Sequence, residues 1–421
     1  MPNKIDVYYE GWGEHWLWGT LVSSTALTGR PLIMFEYGDE ALRKGLELSA
    51  YTLPLRGAKL RQDFPQHQLG LPGPVYDSLP DGWGMLLMDR LFKQRGLSVA
   101  RIGPLERLTY IGANAMGAVS FQPAQPEASA LKENIPLTQL ASEVQEVLGG
   151  EGGAFLQRLL QMGGSPQGAR PKALLSRDPL SGIFTTRPAA GLENWLIKFP
   201  AKQEHPEVCA IEAVYSQCLR ICGIQTPDTQ YFSLPDGQAA FATKRFDREK
   251  GMRVPMQSLA AFTGANYQSP GALDYTNFLR ATQMCTNDAR EKVLAFERVV
   301  FNIAFNNRDD HPKNFSYLMS PDGSWTLAPA YDVTYCEGPG GYHQMDVMGE
   351  ALEINRKHVL TLAKEEAELT PIQASLIIEK ICDAAAGFAN VAKEMFPKQI
   401  TAETQKSIQN DIDMNIKRLL K

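Results

Sequence analysis

Polar and acidic residues are concentrated in the segment NRDDHPKN, residues 307–314, and a further acidic residue, Asp332, follows in the segment APAYDVT. Between them lies a predicted hairpin with a turn at Pro321-Asp322-Gly323. An aspartate, an asparagine five residues later and a second aspartate after a hairpin are typical of kinase catalytic segments. Phosphoryl transfer needs a carboxylate that orients the attacking hydroxyl and hard oxygen ligands for magnesium. The spacing therefore predicts a kinase that uses ATP and Mg²⁺.

The spacing also distinguishes the two adjacent acids. Asp309 lies five residues before Asn314 and Asp310 lies four before it, so we assign the role of catalytic base to Asp309. Two alternatives remain open from the residues alone. The segment can be the polar end of a helix and its loop, or Asp309, Asp310, His311 and Asp332 can form the metal site of a hydrolase.

Two features of the N-terminal half fit a nucleotide site. The segment GGSPQGARPK, residues 163–172, contains glycines that let backbone N–H groups approach phosphates, although it matches neither a Walker A nor a G-x-G-x-x-G pattern. Lys198 stands in the apolar segment WLIKFP, where a charge needs a partner such as a phosphate. The alternative is a surface lysine on an alternating strand.

The periodicity of apolar residues predicts the elements that position these segments. Residues 1–125 form a β-rich N-terminal domain, residues 126–250 a nucleotide-binding lobe with the phosphate loop, and residues 251–421 a helical catalytic C-terminal lobe. The strongest helical pattern runs over 287–306, with Thr286 or Asn287 as N-cap, and further helices are expected at 83–95, 138–148, 206–222 and 401–420, and from Thr370 onward. The fold class is thus α+β, with two lobes.

Composition narrows the classes of partner. The chain has 421 residues, 42 of them basic and 47 acidic, and a formal charge of −5 argues against a free-standing nucleic-acid binder. Its six cysteines form no C-x-x-C pair, which favours a reducing compartment. No window approaches the ~18 consecutive apolar residues of a membrane span, and the N-terminus lacks a secretory pattern. We therefore expect a cytoplasmic protein without membrane contact.

Taken together and in this order, these segments resemble the HipA-type serine/threonine kinases, the toxins of bacterial HipBA toxin–antitoxin modules. The resemblance spans nearly the whole chain. It rests on GARPKALL, WLIKFP, IEAVYSQCLRICGI, TKRFDR, FNIAFNNRDDHPKNFSYL and LAPAYDVT, and more loosely on LPDGWGMLLMDRL and YIGANAMGAVSF.

The resemblance implies a role for individual residues. Asp309 is the catalytic base, while Asn314 and Asp332 bind magnesium. Nucleotide contacts are implied for Lys198, Gly168, Lys172, Phe246 and Asp247. Ser165 falls where the family can carry an autophosphorylated serine, although Pro166 and the Arg170-Pro171-Lys172 sequence depart from the usual pattern.

The resemblance also implies the partners. These are a protein substrate of the aminoacyl-tRNA synthetase type and a small helix-turn-helix antitoxin, through which the protein reaches DNA indirectly. Two other functions are consistent with parts of the sequence. Antibiotic phosphotransferases share the Asp–Asn–Asp pattern and act on small molecules, and a weakly catalytic scaffold would mainly bind an antitoxin.

Overall fold

The computed structural model of the chain describes residues 3–25, 31–57, 59–125, 134–151, 155–163, 168–186, 189–202, 204–205 and 207–421. It divides into two compact units. The first comprises Met1–His205, Phe232–Gln257 and Leu318–Gly323, and the second comprises Pro206–Tyr231, Ser258–Tyr317 and Ser324–Lys421. The predicted residues 1–125 and most of 126–250 thus fall in one unit.

The first unit begins with a five-stranded sheet of order β4-β3-β2-β1-β5, in which β1, β2 and β3 are antiparallel neighbours. Its β1 buries alternate residues, Ile5, Val7 and Tyr9, as the period of two in a strand requires. The elements are β1 (Lys4–Tyr9), β2 (Trp16–Thr25), β3 (Pro31–Tyr37), α1 (Asp39–Lys44), β4 (Leu60–Arg61), α2 (Gly73–Tyr76), α3 (Gly82–Gln94), α4 (Pro104–Ile111) and β5 (Val119–Gln122).

A second sheet, of order β7-β6-β8-β10-β9, carries the lysines of the predicted nucleotide site. Its β6 and β8 are antiparallel, with Lys172 paired to Lys198. The elements are α5 (Leu137–Leu148), α6 (Leu156–Gly163), β6 (Lys172–Arg177), β7 (Phe184–Thr185), β8 (Glu193–Lys198), β9 (Thr229–Ser233), β10 (Ala239–Lys244), β11 (Arg248–Glu249) and β12 (Met252–Arg253).

Helices dominate the second unit. Its core includes the stacked rings of Phe301 and Phe305, and the buried Tyr215 hydroxyl donates to the Phe305 carbonyl at 2.5 Å. The remaining elements are α7 (Val208–Ile221), β13 (Met256–Ser258), α8 (Leu259–Thr263), α9 (Tyr275–Thr286), α10 (Ala289–Ala304), β14 (Ser316–Met319), β15 (Trp325–Leu327), α11 (Arg356–Glu365), α12 (Pro371–Ala386), α13 (Phe388–Met395) and α14 (Ala402–Leu420).

The helix boundaries correct the predicted caps in one place and confirm them in another. The N-cap of α10 is Asp288, whose side chain accepts from the Arg290 N–H, while Asn287 ends α9 in the left-handed conformation. At Thr370 the predicted N-cap is present, as a capping box with Gln373. The α5 helix begins at Leu137 after Pro136, one residue before the predicted start at residue 138.

Candidate active site

The segment 307–314 leaves the end of α10 as a loop and places its two aspartates in opposite environments. The side chain of Asp309 is 46% exposed, and its Oδ1 lies 3.7 Å from Nε2 of His311. Asp310 is completely buried. A carboxylate that must reach an incoming hydroxyl has to be accessible, and of this pair Asp309 meets that requirement.

Asp310 is surrounded by hydrogen-bond donors. Its Oδ1 accepts from the Gln344 N–H at 2.7 Å, while its Oδ2 accepts from the Tyr275 hydroxyl at 2.6 Å and from Nδ1 of His343 at 2.8 Å. Because a carboxylate only accepts, these distances assign the proton of the His343 ring to Nδ1. Asp310 therefore ties the loop to α9 and to the segment around residue 343.

The two predicted magnesium ligands lie on either side of the β14–β15 hairpin. Asn314 ends a short 3₁₀ turn, and its Nδ2 donates to the Asp309 carbonyl at 2.7 Å, which leaves the Oδ1 end of the amide for a cation. Asp332 has a φ of 56°. A left-handed residue other than glycine is uncommon, and such backbone strain is concentrated at functional sites.

A small pocket within the second unit brings these groups together. Its lining includes Asn314 and Asp332 with four further polar residues, Arg298, Asn302, Asn307 and Asp310. Burial lowers the pKa of Arg298 to about 10, so the guanidinium keeps its charge at neutral pH. Two carboxylates against one guanidinium leave the pocket with a net negative charge that suits a cation.

The chemistry of these donors fits magnesium. Carboxylate and amide oxygens are the hard ligands that Mg²⁺ prefers, and in nucleotide sites it takes one or two carboxylates and fills its remaining positions with phosphates and water. No group of three or more His, Cys, Asp or Glu side chains that could hold a metal occurs among the residues that the structure describes. The hydrolase metal site is an alternative that this observation does not test.

In the first unit, the predicted nucleotide-binding lysines lie side by side. Lys172 begins β6 and Lys198 ends β8, and they are cross-strand partners. Both are buried, with 3% and 4% of their surface exposed. Their contact with phosphate stays a prediction.

Residues at the start of α3 form hydrogen bonds with Gly168. The sequence analysis did not predict this contact. The Gly168 N–H donates to the Asp81 side chain, and its carbonyl accepts from the Trp83 N–H at 3.1 Å. The indole Nε1 of Trp83 donates to the Lys172 carbonyl at 3.2 Å. The segment LPDGWG therefore fixes both ends of the GARPK part of the loop.

Asp247 lies in a cluster of arginine side chains, and its predicted place near the nucleotide stays a prediction. Its carboxylate is buried and accepts hydrogen bonds from Arg245, Arg248 and the Gly117 N–H. Burial alone would raise the pKa of Asp247, but the charges of Arg245 and Arg248 and these hydrogen bonds hold it well below its usual value. The acceptor positions of this carboxylate are thus used within the protein. The role of Phe246 stays a prediction.

Ser165, the predicted autophosphorylation site, lies outside the described residues. The structure also identifies a set of polar residues that the sequence analysis missed, namely Tyr275, Asn302, Asn307 and His343. A buried asparagine on the apolar face of a predicted helix, as at Asn302, was the signal that could have revealed them.

Comparison with known proteins places these features in a family. Residues 14–122 match the model of the HipA N-terminal domain, and residues 164–388 match that of the HipA-like C-terminal domain. The second match alone covers more than half of the chain. The protein belongs to the HipA family.

Solved structures give the same fold. The chain is similar to HipA of Shewanella oneidensis MR-1, solved with HipB and operator DNA, at 16% identity and a TM-score of 0.71, covering 99% of this chain and 97% of that one. This likeness confirms the predicted α+β fold class. The proinflammatory kinase CtkA of Helicobacter pylori matches at 14% identity over 54% of this chain and 88% of its own, with a TM-score of 0.39 that carries no conclusion. In the described residues no helix has the length and apolar character of a membrane span.

Proposed function

We propose that this chain is an ATP- and Mg²⁺-dependent serine/threonine protein kinase that acts as the toxin of a toxin–antitoxin module. The observation that carries the proposal is the arrangement in the second unit, where the accessible Asp309 accompanies the pocket of Asn314 and Asp332. Membership of the HipA family supports the same class of activity.

Each residue then has a defined task. Asp309 orients the acceptor hydroxyl and takes its proton, while the hydroxyl oxygen forms a bond to the γ-phosphorus and the bond to ADP breaks. Asn314 and Asp332 hold magnesium through oxygen atoms, and Lys172 and Lys198 bind phosphate. When bound, magnesium offsets the negative charge of the phosphates.

The proposal extends to the partners. The HipA structure from Shewanella contains HipB and operator DNA, which supports a small DNA-binding antitoxin as the partner of this chain. We propose an aminoacyl-tRNA synthetase as the class of substrate, whose phosphorylation would arrest translation and growth. Autophosphorylation of Ser165 would add about −1.5 to −2 charge to the phosphate loop and oppose ATP binding there.

The test compares wild type with Asp309→Asn. We expect this variant to lose phosphoryl transfer from ATP by at least about 10²-fold, because a positioned base contributes that much or more. Its affinity for a non-hydrolysable ATP analogue, measured by calorimetry, should stay within about twofold of wild type, since the base contacts the acceptor rather than the nucleotide. Full transfer activity in Asp309→Asn would refute the assignment of the base.

Autophosphorylation has a separate test. Mass spectrometry of wild type incubated with ATP would reveal any phosphate on Ser165.

A further inference from the structure

The side chain of Asn307 contains a polar atom that the protein itself does not use. Asn307 is 3% exposed, and its Nδ2 donates to Oδ1 of Asn302 at 2.9 Å. Its Oδ1 is buried and has no hydrogen-bond partner among the described residues. A buried carbonyl oxygen without a partner leaves its loss of hydration uncompensated, so such an atom calls for an explanation.

A chain of hydrogen bonds leads from this atom back to Asp310. The Tyr275 hydroxyl donates to Asp310 at 2.6 Å, and Nδ2 of Asn302 donates to the Tyr275 oxygen at 3.1 Å. Oδ1 of Asn302 then accepts from Asn307. All members are buried and belong to the second unit.

The carboxylate at the start of this chain determines its direction. Because Asp310 accepts only, Tyr275 must donate to it, and the oxygen of Tyr275 is left to accept from the amide nitrogen of Asn302. Burial and the charge of Asp310 raise the pKa of Tyr275 well above its usual value, so the hydroxyl keeps its proton. Asn302 can then only present its oxygen to Asn307. The Asn307 amide is therefore oriented with its nitrogen toward Asn302. Its oxygen is left without a hydrogen-bond partner among the described residues.

That oxygen belongs to a residue of the same pocket as Asn314 and Asp332. We propose that Asn307 supplies a third protein oxygen to the magnesium site, and that the Asp310–Tyr275–Asn302 relay positions it with the oxygen toward the cation. The inference rests on the proposed function for the identity of the cation. It also gives a structural reason for a fully buried carboxylate next to Asp309.

Two substitutions at position 307 distinguish a metal ligand from a residue that only packs: one removes the side-chain oxygen and the other adds a negative charge. The probe is Mg²⁺, and the readout is the Mg²⁺ concentration that half-saturates the binding of a non-hydrolysable ATP analogue in calorimetric titrations. Asn307→Leu removes the oxygen and should raise this concentration roughly tenfold. Asn307→Asp adds a negative charge to the ligand set and should lower it. If Asn307 only packs, both variants lose stability and neither shifts Mg²⁺ dependence.

The matched control is Gln405, a buried amide on α14 whose Nε2 donates to the Ile400 carbonyl at 3.0 Å. Gln405→Leu and Gln405→Glu make the same chemical changes away from the pocket. We expect both to lower the unfolding temperature and to leave the half-saturating Mg²⁺ concentration unchanged.

The relay has its own test. Tyr275→Phe removes one hydroxyl, so the amides of Asn302 and Asn307 lose their fixed direction and the half-saturating Mg²⁺ concentration should rise several-fold. In the Asn307→Asp background the same change should have no such effect, because a carboxylate presents an oxygen in either orientation. Equal shifts in both backgrounds would overturn the relay.

Failure of the inference and failure of the proposed function can be told apart. If wild type binds the analogue with no dependence on Mg²⁺, both are wrong. If wild type depends on Mg²⁺ and Asn307→Leu has the same dependence, this inference alone is overturned.

Discussion

Two adjacent aspartates in the catalytic loop differ in what surrounds them, and this difference predicts different mutant behaviour. Asp309 is half exposed, whereas Asp310 accepts hydrogen bonds from Tyr275, His343 and Gln344 in a completely buried position. Spacing to Asn314 favoured Asp309 as the base, and the accessibility of the two carboxylates supports the same choice.

We expect Asp310→Asn to lower the free energy of unfolding by about 1.5–3 kcal/mol, because hydrogen bonds to a buried charge are replaced by weaker ones. Denaturant titration followed by fluorescence measures this loss, and Asp309→Asn is the matched control with little expected change. An Asp310→Asn chain as stable as wild type but inactive, beside an active Asp309→Asn chain, would instead assign the base to Asp310.

At the scale of elements, the start of α3 holds Gly168 and Lys172 in place through hydrogen bonds. Gly82 has a φ of 33°, and a Cβ at this position would lie 2.6 Å from the Cα of Ala169. Backbone atoms cannot move aside as a flexible side chain can, so a larger residue has to displace the loop. The segment LPDGWG, which carries the family resemblance only loosely, therefore has a physical role: it positions residues 168 and 169.

Gly82→Ala should therefore weaken the binding of a non-hydrolysable ATP analogue by roughly tenfold or more, with a stability loss of about 1–3 kcal/mol from strain. Gly103→Ala is the control, since Gly103 has an ordinary φ of −81° and an added Cβ there would have no atom of the described residues within 4 Å beyond its chain neighbours. Calorimetric titration compares the two variants. Unchanged affinity in Gly82→Ala would show that residues 168–172 do not bind the nucleotide.

The cluster around Asp247 joins the segment that follows β10 to Gly117, which precedes β5, and its stability should depend on pH. Folding lowers the pKa of Asp247 below its unfolded value of about 3.9, so the ionised form is favoured in the folded chain. The stabilisation is complete above that value and disappears as the pH falls through the folded pKa.

Asp247→Asn leaves Arg245 and Arg248 buried without their carboxylate, and at pH 7 we expect a loss of about 3–5 kcal/mol. The difference in unfolding temperature between wild type and variant should shrink below about pH 4. Asp39→Asn, which breaks an ion pair between exposed Asp39 and Lys59, should change little at either pH. A difference that stays constant down to pH 3 would contradict the assigned shift.

The elements were predictable where periodicity was strong, and the site was predictable where spacing defined it. The long pattern of α10 and the N-cap at Thr370 were recognised because both depend on neighbours in sequence. The N-cap of α10 was missed because Asn287 and Asp288 are both good capping residues, and the turn after α9 decides between them. The hydrogen bonds of Asp310 and Asp247 join residues far apart in sequence, and no local pattern indicates them.

At the scale of the whole molecule, net charge bears on how the proposed toxin would reach DNA. With 42 basic and 47 acidic residues, the chain has a formal charge of −5, and the affinity of proteins for duplex DNA comes largely from basic groups that displace counterions. A HipA protein of the same fold was solved together with HipB and operator DNA. In the proposed toxin–antitoxin module, the DNA-binding partner would therefore contact the phosphates and this chain would contact the partner.

We expect the purified chain alone not to retard operator-length DNA at about 0.15 M salt, and to join the complex once the proposed helix-turn-helix antitoxin is added. The Asp309→Asn variant should join the same complex, because its substitution changes the loop at 307–314 and leaves the rest of the surface intact.

Expression of wild type alone should arrest growth, and co-expression of the partner should relieve the arrest. Expression of Asp309→Asn should not arrest growth at all. Retardation of DNA by the chain alone would contradict the charge argument. Arrest by Asp309→Asn would show that toxicity does not depend on phosphoryl transfer.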